Sequence, residues 1–180
     1  MTRSAIDVRA RLAAARAGDP GLRRFGAAEH HYALRPPLDG AAVAAFEARH
    51  AVVLPTEYRR FLLEVGSCGA GPHYGLYPLD GSGMEPVDLA ERELPGHLAT
   101  SFPHTEAWNP AGTMSEQEYS ADGRTTGSLV VCHFGCGALY RLVVTGPARG
   151  QVWFDDRCSA AGLTPGPGFD RWYGDWLHAL

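Results

Sequence analysis

The sequence predicts an α+β domain in which an antiparallel β-meander is covered on one face by N-terminal helices and by an aromatic C-terminal helix. Three observations predict this fold class. Apolar residues recur at helical spacing within the first 65 residues, β-forming residues with Gly-rich links fill 128–155, and helical spacing returns after 168. Because an antiparallel sheet needs only one buried face, we expect the other face to be partly open to water.

Three helices are predicted ahead of the sheet, each from a capping residue followed by apolar residues at helical spacing. The predicted spans and their caps are 4–17 with Ser4 and Asp7, 40–50 with Asp39, and 57–65 with Thr56. In the third helix, Tyr58, Phe61, Leu62 and Val65 form one apolar stripe, which indicates that this helix packs on the core.

The sheet is predicted from three runs that are rich in Val, Leu, Tyr, Trp and Phe, at 128–134, 138–144 and 151–155. Short Gly-rich links between these runs favour hairpin connections and therefore a meander. A short strand is also expected at 74–78, ahead of the meander.

The rest of the second half is predicted as loop and helix. The stretch 80–127 is rich in Gly and Pro, and apart from a short helix at 87–93 we expect a long loop there. A second Gly- and Pro-rich segment, 162–168, leads to the closing helix. The apolar face of that helix consists of Phe169, Trp172, Tyr173, Trp176, Leu177 and Leu180.

The charge of the chain is distributed unevenly, with a net value of −4 overall. Residues 1–60 hold ten Arg and six acidic residues, a net charge of +4, whereas 61–180 hold six Arg and fourteen acidic residues, a net charge of −8. An acidic body repels phosphate, which argues against nucleic acid, and suits a partner protein with a basic surface. The sequence contains no apolar run of about 18 residues and no apolar signal core, so we expect a cytoplasmic protein without a membrane partner.

Several residues resemble parts of catalytic or metal sites, but each pattern is incomplete. Cys132, His133 and Cys136 lie close together at a predicted turn, yet a fourth metal ligand would have to come from a distant segment. His30 with His31 is interpreted as a surface loop pair. Asp155 with Asp156 is interpreted as a solvated strand end, because adjacent strand residues point to opposite faces. The sequence therefore predicts no enzyme, no metal and no cofactor, with a small metal-binding protein or enzyme as the remote alternative.

Four segments, taken in order, resemble the SUKH superfamily, in the group named after a yeast cell-wall-synthesis regulator. They are Phe46-Glu47 with Leu54-Pro55-Thr56-Glu57-Tyr58-Arg59-Arg60-Phe61-Leu62 and Val65-Gly66; Gly71-Pro72-His73-Tyr74-Gly75-Leu76-Tyr77-Pro78-Leu79; Gly135-Cys136-Gly137 with Gly150-Gln151-Val152-Trp153; and Phe169, Trp172 and Trp176 in the last helix. The resemblance covers about 38–180, so we divide the chain into an N-terminal extension, 1–37, and a single SUKH-like domain, 38–180.

This resemblance implies a non-catalytic protein-binding domain, and for a bacterial member an immunity protein that neutralises a polymorphic toxin. An intracellular scaffold with cellular protein partners is the alternative that the same resemblance leaves open. The sequence departs from the family pattern in the turn 66–69 and in the long insert 101–124. Both departures bear on the partner, because partner choice in such families lies in variable loops.

An acidic stretch is the predicted partner-binding surface. It contains acidic residues that could speed the approach of a basic toxin, and aromatic residues that could anchor the complex. The predicted residues are Asp80, Glu85, Asp88, Glu91, Glu93, Trp108, Glu116, Glu118 and Tyr119. The alternative is a solvated acidic surface whose aromatic residues, with Phe102, hold the insert to its own domain.

Overall fold

A computed structural model of the chain describes residues 3–110 and 112–180, without the side chains of 3–6. Seven helices and four strands lie in these ranges. The helices are α1 (Arg3–Gly18), α2 (Ala27–His30), α3 (Gly40–His50), α4 (Thr56–Glu64), α5 (Pro86–Arg92), α6 (Glu116–Tyr119) and α7 (Phe169–His178). The strands are β1 (Ser128–Gly135), β2 (Ala138–Val143), β3 (Val152–Asp156) and β4 (Gly162–Thr164). The predicted α+β class is confirmed.

The sheet is an antiparallel meander in the order β1-β2-β3-β4. Its first three strands match the predicted runs, but β4 lies in 162–168, which was predicted as a connector. That strand is only three residues long, so its pairing depends on β3 rather than on its own composition. The prediction of a strand at 74–78 was wrong. Only Leu76 forms isolated bridges there, because Gly75 has φ +92° and interrupts an extended run.

One face of the sheet packs on the helices and forms the main core. The predicted stripe of α4 is confirmed as buried, and its Phe61 packs edge-on against Phe169 and Tyr173 of α7, with ring centroids 5.3 and 4.8 Å apart. The sheet contributes Leu129, Leu142 and Val152 to the same cluster. Buried aromatic and aliphatic area of this kind is the main favourable contribution to folding.

The second face of the sheet, expected to be partly open, is covered over most of its extent. Phe102 packs edge-on against Trp153 of β3, with ring centroids 5.0 Å apart, and Trp108 exchanges backbone hydrogen bonds with Leu163 of β4. Met84 packs on Leu139 and Val130 ahead of α5. The described part of the Gly- and Pro-rich stretch 80–127 therefore forms a second layer on the sheet, and this face stays accessible through a cleft.

The helix caps agree with the sequence in part. Asp39 accepts a hydrogen bond from the backbone N–H of Ala42 at 2.7 Å, as predicted. Thr56 does not cap α4: it lies inside the helix, and Pro55 precedes it without a side-chain cap. The predicted cap at Ser4 lies outside the described side chains. No helix among the described residues is both long and apolar enough to cross a bilayer.

The segment before α3 packs on the domain. Val8 and Leu12 of α1 belong to the main core, and Arg9 donates a hydrogen bond to the carbonyl of Val65 at 3.0 Å. Tyr32 donates its hydroxyl to Asp19 at 2.7 Å. Gly26 adopts φ +77° with its Cα against the backbone of residue 73, so the connector lies directly on the domain.

We expect Gly26→Ala to destabilise the protein by roughly 2–4 kcal/mol, because the new Cβ would lie 1.6 Å from the carbonyl oxygen of His73 at a positive φ. Gly40→Ala is the matched control: its Cβ meets no atom within 4 Å, and Ala is the better helix former. Urea unfolding measures both variants. A Gly26→Ala protein as stable as the Gly40→Ala protein would show that the connector does not pack in this way.

Candidate functional site

A cleft of about 730 Å³ opens on the second face of the sheet. Its floor is formed by Leu139, Arg141 and Asp155, one side by α5, and the other side by residues 112–122. Residues 157–160 close one end. We refer to this space as the sheet cleft.

The strand pattern places the charged floor residues. Side chains alternate along a strand, so Leu139, Arg141 and Val143 share one face of β2, and Asp155 lies with Trp153 on the same face of β3. On α5, Asp88 and Glu91 are three residues apart and both line the cleft. An Arg on an otherwise apolar strand face therefore meets carboxylates from two other elements.

Arg141 is the centre of a buried ion network. Its side chain is 3% exposed, and it donates from Nε to Asp155 at 2.6 Å and from Nη1 to Glu91 at 2.8 Å. Arg157 donates to both oxygens of Asp155, each at 2.9 Å. Thr125 donates its hydroxyl to Glu91. Two carboxylates and two guanidinium groups thus form a neutral group that ties α5 to β2 and β3.

The network fixes the protonation of its carboxylates. Burial by itself raises the pKa of Asp155, but Arg141 and Arg157 outweigh burial and hold that pKa at about 2. Burial likewise opposes ionisation of Glu91, and its pKa is nevertheless lowered by Arg141 and by the Thr125 hydroxyl. The pKa of Arg141 is raised, since its two carboxylate partners outweigh the effect of burial. All three groups are charged at neutral pH.

Asp88 stands apart from this network. It is only 9% exposed, and among the described residues no group donates a hydrogen bond to it or forms an ion pair with it. Burial raises its pKa, while the charge of Arg141 opposes that rise. At the mouth of the sheet cleft, Glu116 and Asp122 are exposed and also lack an ion pair within the part of the chain that is described.

The residues predicted as the partner surface are divided by the structure into two groups. Asp80, Glu85, Glu116 and Glu118 are exposed. Glu91 and Glu93 are held by internal partners, since Arg49 and Arg92 both pair with Glu93. Four of the nine predicted residues line the sheet cleft together: Asp88, Glu91, Glu116 and Tyr119. The other five do not line it: Asp80, Glu85, Glu93, Trp108 and Glu118.

The aromatic residues of the insert contact their own domain. Trp108 stacks on Tyr119 with ring centroids 5.2 Å apart, and Arg124 lies over the Trp108 ring at 5.3 Å. Tyr119 is 7% exposed, and Phe102 is 1% exposed. These contacts hold the insert on the sheet and leave the acidic residues as its outer surface.

Two interpretations from the sequence were wrong. Asp155 is not a solvated strand end, because the side chains of Arg141 and Arg157 enclose it at 5% exposure. His30 is not a surface residue: it is buried, its Nδ1 accepts a hydrogen bond from the backbone of Tyr32, and burial together with His31 lowers its pKa to about 4. Cys132 is fully buried and burial raises its pKa, whereas Cys136 is exposed. The described ranges contain no group of three or more His, Cys, Asp or Glu residues that could hold a metal ion.

Sequence reasoning missed Arg141 and Arg157. A signal was present in the pattern Leu139-Tyr140-Arg141-Leu142, where a charged residue occupies an apolar strand position. Such a residue needs a buried counter-ion. The acidic residues at 155 and 156 in the next strand were the candidates for that partner.

We expect Arg141→Gln to lower the free energy of unfolding by about 3–5 kcal/mol, because it leaves Glu91 and Asp155 without their shared cation in a buried position. Arg171→Gln is the control with the same change of charge. It removes an exposed pair with Asp175 and should cost no more than about 1 kcal/mol. Chemical unfolding of both variants decides the matter, and equal losses would contradict a structural role for the network.

The protein should also lose stability in acid through Asp155. Because the folded-state pKa of about 2 lies below the ordinary value of about 3.9, the stabilisation is complete above pH 4 and is lost as the pH falls towards 2. Asp155→Asn lacks this contribution, so its unfolding free energy should change less between pH 4 and pH 2 than that of the wild type. Parallel acid dependences in the two proteins would contradict the assignment.

Comparison with known proteins identifies the family but no individual relative. The model of the SMI1 / KNR4 family (SUKH-1) matches residues 37–171, which is most of the chain and includes α3, α4, the sheet and the start of α7. No curated protein and no solved structure matches the chain. The matched range begins where the packed N-terminal segment ends. The chain belongs to the SMI1 / KNR4 family (SUKH-1).

Proposed function

We propose that the protein is a non-catalytic, cytoplasmic binding protein of the immunity type, which neutralises a bacterial polymorphic toxin by covering its toxin domain. Membership of a family that is generally non-catalytic supports the first part of the proposal. The observation that carries the second part is the outward-facing acidic surface of residues 80–122. A toxin domain that acts on nucleic acid carries a basic surface, which this acidic surface complements.

Residues 80–122 contain nine acidic residues and a single Arg, and that Arg faces inward. Arg92 is 5% exposed, donates from Nη1 to the carbonyl of Leu79 at 3.1 Å, and lies over the Phe46 ring at 5.8 Å. The exposed acidic residues of the stretch are Asp80, Glu85, Glu106, Glu116, Glu118 and Asp122. The cation is therefore used within the fold, and the carboxylates produce an outward negative field.

Capture from the producing organism, followed by a test of toxicity, examines this proposal. The tagged protein is used to isolate binders from the lysate and from the secreted fraction, and mass spectrometry identifies them. A captured protein expressed alone in a second host should arrest growth, and co-expression of the present chain should restore it. Harmless binders, or growth that co-expression does not restore, would favour the scaffold alternative.

Charge reversal at the acidic surface should slow association with the captured toxin. We expect Glu85→Lys with Glu116→Lys and Asp122→Lys to reduce the association rate roughly 10- to 100-fold at low salt. These three residues are exposed, so the fold should persist. Stopped-flow or surface-based kinetics at several salt concentrations measures the rate.

The matched control reverses three exposed carboxylates elsewhere, Asp7, Glu29 and Asp175, and gives the same net charge. If both triple variants lose the same factor, net charge alone governs association. In that case residues 80–122 do not form the contact surface.

A further inference from the structure

The charges that line the sheet cleft do not balance. Five carboxylates and two guanidinium groups line it. Glu91 and Asp155 are neutralised by Arg141 and Arg157, through contacts of 2.6–2.9 Å. The three remaining carboxylates, Asp88, Glu116 and Asp122, have no ion-pair partner in the described part of the chain. The sheet cleft therefore holds an excess of three negative charges above a neutral floor.

Asp88 distinguishes this cleft from an ordinary acidic surface. A carboxylate that is nine-tenths buried normally has a hydrogen-bond or ion-pair partner, because removal from water is costly. Asp88 has neither, and its carboxylate oxygens are in contact with the open space of the cleft. The charged groups that act on it are Arg141 and His133, which favour its ionised form, and Glu91 and Glu85, which oppose it. A cation entering the sheet cleft would supply the missing partner.

The walls of the cleft suit a long side chain with a charged end. Val87 beside Asp88 is 73% exposed, and Leu139 and Met114 lie across the same space. These groups can cover an aliphatic stem while the cationic head reaches the carboxylates. A guanidinium group has five donors in a planar arrangement and can serve several carboxylate oxygens at once, which a compact ammonium group cannot do with the same geometry.

We propose that the sheet cleft receives one Arg side chain of the partner protein, with its guanidinium group paired to Asp88 and its stem against Val87. This inference rests on the proposed function for the identity of the partner, but the cleft chemistry can be tested without it. Glu116 and Asp122 lie at the entrance and guide the side chain inwards. Glu91 and Asp155 on the floor of the cleft are already paired with Arg141 and Arg157. The arriving guanidinium group therefore pairs with Asp88 and does not compete with Arg141 for Glu91 or Asp155.

Titration with a small probe tests the cleft itself. Acetyl-arginine-methylamide carries a single cation, and acetyl-citrulline-methylamide has nearly the same shape without charge. We expect saturable NMR shifts at Asp88, Val87 and Leu139 with the arginine probe in the millimolar range, and none with the citrulline probe. Shifts of equal size with both probes, or no saturable shift with the arginine probe, would overturn the proposal.

Asp88→Asn provides the variant test, with Asp175→Asn as the control. Asp88 has no internal partner to lose, so Asp88→Asn should retain its fold and its thermal stability while losing the arginine-dependent shifts. With the captured toxin, Asp88→Asn should weaken binding about 10- to 100-fold, mainly by faster dissociation. Asp175→Asn should bind like the wild type, because Asp175 is exposed and lies outside the cleft.

The outcomes separate this inference from the proposed function. A toxin that binds Asp88→Asn as tightly as the wild type rejects the arginine site and leaves the immunity role standing. Probe binding that depends on Asp88, in a protein for which no toxin is found, supports the arginine site and moves the partner to another class of protein.

Discussion

The second half of the fold depends on the ion pairs that the buried guanidinium group of Arg141 forms with two carboxylates. One side chain is shared by α5 and β3, through Glu91 and Asp155, and Arg157 completes the charge balance. Replacement of such a network by apolar residues can be neutral or stabilising, so its presence is not explained by stability alone. Its effect here is positional: it fixes α5 against the sheet, and α5 carries one wall of the cleft.

The second layer is assembled from contacts that the first layer does not need. The sheet face that packs on the helices contributes apolar residues to the main core, and aromatic contacts join α4 to α7 there. On the other face, Trp153 and Leu163 receive Phe102 and Trp108, and the ion network occupies the gap between these apolar clusters. A stretch with little regular secondary structure is therefore held on the sheet by a few buried side chains. The loops between these side chains lie at the surface.

The sequence predicts elements that are marked by a regular spacing of apolar residues. It does not predict features that depend on a partner residue far away in the chain. The helices α3, α4 and α7 follow from apolar spacing and the first three strands from their composition, whereas β4 is too short to show a pattern. The sequence showed the acidic stretch, but it did not show which of its carboxylates point inward and which stay exposed. Glu91 turns inward because of Arg141, fifty residues away, and Asp155 because of the same residue fourteen positions away. Composition does not reveal which carboxylate meets a cation from another element.

The outward surface of residues 80–122 is acidic, although the net charge of the whole chain is only −4. Arg92 and Arg141, two of the six Arg residues after residue 60, are buried, while most carboxylates of 80–122 remain at the surface. Close internal pairs contribute little field outside the molecule, whereas exposed single carboxylates contribute more, within the range that salt screening allows. Asp88 combines features of both groups: the residue is 9% exposed, and its carboxylate has no partner in the described part of the chain. A partly desolvated carboxylate without a partner favours a cation from outside, which would supply the missing ion pair.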